Sequence, residues 1–107
     1  MTQPAIAIVL TTVPDDFDVE FFARALVDAR LAACVSALPP MTSFYRWEGA
    51  CQRGAERQLI IKTIASHLDA LEQKIKDLHP YDLPEFLVVS ALPRQDAYGG
   101  WIAESTV

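Results

Sequence analysis

A chain of 107 residues, 51% of them hydrophobic, has room for one domain with one core but not for two, so residues 1–107 are read as a single domain. Nine Lys and Arg against fourteen Asp and Glu leave a net charge of -5, which argues against a nucleic-acid partner, because phosphate binding needs clustered positive charge. No apolar run approaches the ~18 residues that a membrane-spanning helix requires, and Met1 to Pro4 lacks the basic and hydrophobic regions of a secretory signal, so a cytoplasmic protein with no membrane segment is expected.

The run Ala5-Ile6-Ala7-Ile8-Val9-Leu10 is short, apolar and rich in β-branched residues, and it predicts a strand buried on both faces, ended by Thr11 to Pro14. Pro14 and the acids Asp15, Asp16, Asp18 and Glu20 open a helix whose apolar positions Val19, Phe22, Ala23 and Leu26 recur at three- and four-residue spacing, running to about Leu31. Ala32 to Tyr45 reads as a long strand broken at Pro39-Pro40, since proline has no N–H for the ladder. After a turn at Glu48-Gly49-Ala50, Gln58 to Thr63 is the returning strand of an extended hairpin.

Ser66 and Asp69 mark the start of a second helix, in which Leu68, Leu71, Ile75 and Leu78 share a face and Glu72 can pair with Lys76; Pro80 stops it. Glu85 to Leu92 is the last strand, and Asp96 to Ser105 predicts a short closing helix despite Gly99-Gly100. This order is an α+β fold on a β-α-β-β-α-β plan, with both helices on one face of a four-stranded sheet.

Alternation assigns Ala7, Val9, Ile60, Lys62, Phe86 and Val88 to one face and Ile8, Leu59, Ile61, Leu87 and Val89 to the other. Neither set is polar. Leaving Val9, Ile60, Phe86 and Val88 in water would forgo burial worth roughly 2 kcal/mol each, so the face without helices requires a partner surface, and a second copy of the chain is the economical one.

Several blocks, taken together, carry a resemblance. Leu10-Thr11-Thr12-Val13-Pro14-Asp15, Arg30-Leu31-Ala32-Ala33-Cys34-Val35, Ser43-Phe44-Tyr45-Arg46-Trp47-Glu48-Gly49, Ile61-Lys62-Thr63 and His79-Pro80-Tyr81-Asp82-Leu83-Pro84-Glu85 resemble, in order over nearly the whole chain, the CutA family of divalent-cation tolerance proteins. The resemblance implies a ferredoxin-like fold, a homotrimer similar to the trimeric PII signalling proteins, and a role in tolerance of copper and other divalent cations. Some members with proposed copper ligation carry Cys where this chain has Thr11 and His where it has Leu78, and His79 alone remains of that set.

The thiolate and imidazole groups that suit copper are Cys34, Cys51, His67 and His79, in no local chelate spacing. His79 reads either as a group closing the carboxyl end of the second helix or as a metal ligand. Cys34 reads as a small buried hydrophobe at a strand start or as a wall of a pocket, and Cys51 as incidental. Lys62, inside a strand, needs a carboxylate or an anionic ligand; Glu85 is the candidate partner, in a structural pair or in an intersubunit pocket formed by Trp47, Lys62, Tyr81 and Glu85. Tyr45 and Trp47 serve equally as interface anchors. No enzyme signature occurs, Ser66-His67 included, because neighbouring helix residues do not face one another, and no obligatory cofactor is expected.

Overall fold

The computed structural model describes residues 4–107. Met1 to Gln3, part of the segment read as lacking a secretory signal, lie outside the described residues. Strands β1 (Ile6–Pro14), β2 (Cys34–Ala37), β3 (Met41–Trp47), β4 (Ala50–Ile64) and β5 (Leu87–Ala91) alternate with helices α1 (Val19–Asp28) and α2 (Leu68–Leu78), and α3 (Asp96–Ser105) closes the chain. The sheet runs β2-β4-β1-β5 with every pairing antiparallel, and β3 adds to the far end of β4. This is the α+β, β-α-β-β-α-β architecture expected.

Helix α1 starts later and stops earlier than its flanking acids and Leu31 suggest. Its N-cap is Asp18, whose carboxylate accepts from the Phe21 amide at 3.1 Å. At the other end Arg30 takes a left-handed φ of 60°, so that Leu31 N–H reaches back to Leu26 and Arg30 N–H to Val27. Helix α2 is preceded by a 3₁₀ turn, Ala65–His67, without the side-chain cap expected of Ser66; the expected Glu72–Lys76 pair forms at 3.2 Å.

Strand β4 is more than twice as long as the apolar pattern implies. Its first half pairs only with β3, turned by Glu48 (φ 51°) and Gly49 (φ 79°), which supply the two left-handed residues of a tight hairpin loop. The Pro39-Pro40 break separates β2 from β3 as expected, and the hairpin projects as an arm from a body 24 Å across, giving a molecule 51 Å long.

The register corrects the assignment of faces. Val9 lies opposite Ile61 and Val88, while Leu10 lies opposite Ile60 and Leu87, and residues directly opposed share a face. Val9, Leu59 and Ile61 are therefore packed under the helices with Phe22, Leu26, Leu71 and Ile75, all fully buried. Val88 and Phe86 face that side as well, though Val88, on the edge strand, is itself 47% exposed. The face without α1 and α2 carries Ile8, Leu10, Ile60, Leu87 and Val89; Leu87 is 56% and Val89 47% exposed. Helix α3 covers one end of it, where Ile102 packs with Ile6 and Ala33. A largely bare apolar sheet face is present and carries Ile60 as alternation assigned, but on β1 and β5 its residues are Ile8, Leu87 and Val89 rather than Val9, Phe86 and Val88.

Candidate functional site: a cleft beside the hairpin arm

Met41, Ser43, Tyr45 and Trp47 lie opposite Glu56, Gly54, Gln52 and Ala50, so these alternate residues share one face of the arm, the continuation of the bare apolar face. The segment 80–85, between α2 and β5, wraps against this face and leaves a cleft of about 670 Å³. Its walls include Tyr45, Trp47, Glu56, Tyr81, Asp82 and Glu85.

His79 holds that segment in place. Its Nε2 lies 2.6 Å from the Thr12 carbonyl, which only accepts, so Nε2 carries the proton; Nδ1 accepts the Tyr81 amide at 3.0 Å. The ring is buried between Phe17, stacked at 6.5 Å, and Phe22, edge-on at 6.2 Å. Both nitrogens are thus engaged within the chain, and freeing Nδ1 for a metal means giving up the Tyr81 bond.

Three further bonds lock the cleft walls. The Tyr81 hydroxyl donates to Glu56 at 2.8 Å; burial first, and then that carboxylate, push the phenol above its usual pKa, so it stays a neutral donor. Gln58 donates through Nε2 to Glu85 and to the Thr11 carbonyl, each at 2.9 Å.

Of the residues expected in an intersubunit pocket, Trp47, Tyr81 and Glu85 line this cleft of the single chain, and Lys62 and Cys34 do not. They are cross-strand partners on β4 and β2, and Lys62 donates to the Tyr98 hydroxyl of α3 at 3.3 Å, with its ammonium 5.7 Å from that ring's centre. Within the chain, then, Glu85 is met by Gln58 and Lys62 by Tyr98. The bond to Tyr98 holds the Lys62 ammonium above its ordinary pKa. Cys34 is half-buried with its thiol 3.6 Å from the Ser36 hydroxyl, and Cys51 is exposed on the arm. His67 contacts the Thr106 carbonyl. Among the described residues no three His, Cys, Asp or Glu side chains converge to hold a metal ion.

The sequence reading missed Glu56 and Gln58 as site residues. Their signal is the period-two continuation Glu56, Gln58, Ile60, Lys62, legible only once β4 is known to extend that far. Tyr98 falls in the closing helix that the sequence predicts, with nothing in its pattern to mark it as the partner of Lys62.

Residues 7–105 match the family model of the CutA1 divalent ion tolerance protein. The chain is 41% identical over 98 residues to the divalent-cation tolerance protein CutA of Pectobacterium atrosepticum, covering 92% of this chain and 89% of that one. It superposes on the crystal structure of CutA1 from Oryza sativa with a TM-score of 0.94 at 37% identity, covering 100% and 98% of the two chains. A CutA from Archaeoglobus fulgidus described as a periplasmic divalent cation tolerance protein superposes with a TM-score of 0.89 at 26% identity, over 95% and 99%. The agreement of fold, of motif order and of identity along nearly the full length means that this chain belongs to the CutA1 divalent ion tolerance family.

Proposed function

We propose that the protein contributes to divalent-cation tolerance, copper included, as a non-catalytic homotrimer in the cytoplasm. The observation that carries the oligomeric part is the apolar face of Ile8, Leu10, Ile60, Leu87 and Val89, which α3 covers only at one end. Water against these side chains costs roughly 25 cal/mol per Å² of apolar surface, and closed association of identical copies removes that cost. Unpaired Cys34 and Cys51 suit a reducing compartment.

Cation binding by this chain is weak in this reading. The thiols and imidazoles are dispersed, and His79 is available only at the expense of its bond to Tyr81. Copper titration followed by calorimetry tests it: wild type should bind weakly and His79→Ala more weakly still. Equal affinity in the two proteins would remove His79 as a ligand.

A second reading, a ligand-binding trimer of the PII kind, is favoured by the cleft. It is of small-molecule size, has aromatic walls, and opens on the same face that association would cover, so a neighbouring subunit would border it. A third, a rigid trimer that anchors a partner protein, needs no ligand. Ligand-dependent thermal shifts distinguish the second from the third.

A further inference from the structure

Three acids and three aromatic rings line the cleft beside the arm, and no cationic side chain among the described residues neutralises those acids. Glu56 receives the Tyr81 hydroxyl and Glu85 the Gln58 amide, each through Oε2 and each from a neutral donor. The ion pairs among the described residues, Arg24–Glu20 and Lys76–Glu72, lie on α1 and α2, away from this cleft. Within one subunit each of the two carboxylates therefore keeps an oxygen free and a charge that no cation of the same chain compensates, in a cleft that Trp47 and Tyr45 also line.

These walls select by charge and by size. A phosphate or nucleotide would be repelled by Glu56, Asp82 and Glu85. A bare metal ion would need converging donors, which the described residues do not provide. An ammonium or guanidinium on a carbon skeleton meets neither obstacle: its charge faces the carboxylates while its body and its delocalised charge lie against the rings. The space, about 670 Å³, falls within the roughly 300–1,000 Å³ of small-molecule sites.

We propose that this cleft binds a small organic cation bearing an ammonium or guanidinium group, with Trp47 as its aromatic wall and Glu85 as its charge partner. The proposal rests on the ligand-binding reading above and names its ligand class.

The test is calorimetry on the assembled protein with spermidine and agmatine as cationic probes and AMP as the anionic one, with the mass of each assembly checked by light scattering. Both cations should bind saturably and AMP should not. Trp47→Ala and Glu85→Gln should each weaken the cations by about tenfold while the assembly keeps its mass. Equal affinity in wild type and both variants would overturn the proposal, since it would mean attraction to general negative charge. Saturable AMP binding that Trp47→Ala abolishes would also overturn it, yet would leave the ligand-binding reading standing. No saturable binding of any probe contradicts both, as does an assembly that Glu85→Gln dissolves without any cation having bound, which would assign the cleft to a neighbouring chain.

Discussion

His79 donates its Nε2 proton to the Thr12 carbonyl across 2.6 Å, fastening the residue that ends α2 to a strand 67 positions earlier. The same ring receives the Tyr81 amide and packs against Phe17 and Phe22, so one side chain sets the path of the segment that walls the cleft. Truncating it orphans a carbonyl and an amide and leaves a hole. His79→Ala should lower unfolding stability by about 2–4 kcal/mol in urea titration. A loss below about 1 kcal/mol would mean the clamp is dispensable.

Thr11 presents the opposite case. Its hydroxyl is fully buried with no hydrogen-bond partner among the described residues. An unsatisfied buried hydroxyl costs about 1–3 kcal/mol, so Thr11→Val, of nearly the same shape, should raise stability by about 1 kcal/mol. Lower stability in the variant would show that the hydroxyl does have a hydrogen-bond partner in the folded protein.

Lys62 gives the pH dependence. Its folded pKa is raised above the ordinary value of 10.5, chiefly by the bond to Tyr98. A raised folded pKa makes the contribution complete below the unfolded value and removes it as the pH climbs through the folded one. Tyr98→Phe, which deletes the acceptor, should therefore melt below wild type at about pH 8, and the gap should close above pH 10.5. A gap that stays constant across that range would separate Tyr98's contribution from the charge on Lys62.

The bare face predicts an asymmetry between neighbouring residues of β5. Leu87 and Val89 point to the uncovered side and Val88 to the side of Val9. Leu87→Asp should dissociate the assembly, read by analytical ultracentrifugation, while far-ultraviolet circular dichroism remains native. An intact oligomer carrying Asp at that position would place the interface elsewhere.

The pattern of errors in the sequence reading has physical causes. Element order was legible because α1 and α2 repeat apolar residues at helical spacing over the core, and because Pro39-Pro40 and Pro80 break the ladder and the helix where they stand. The first half of β4 was not, since Gln52, Arg53 and Glu56 are polar and become a strand only by pairing with β3 outside the core. The face assignment failed because β1, β4 and β5 are apolar on both sides, and alternation without register cannot say which residues of one strand oppose which of another. Register put Ile61, not Ile60, beside Val9. Trp47, Tyr81 and Glu85, singled out from their motif blocks, line one cleft of the chain, whereas the contacts Lys62 and Glu85 make within the chain were not legible because Tyr98 and Gln58 carry no charge to advertise them.

The central claim is that the uncovered sheet face is an interface between copies of this chain, and the mass of the wild-type protein in dilute solution tests it most directly. Light scattering coupled to size-exclusion chromatography should return three times the 11.9 kDa of the chain, unchanged on dilution through the micromolar range. A folded, soluble species of 11.9 kDa that persists under those conditions would contradict it.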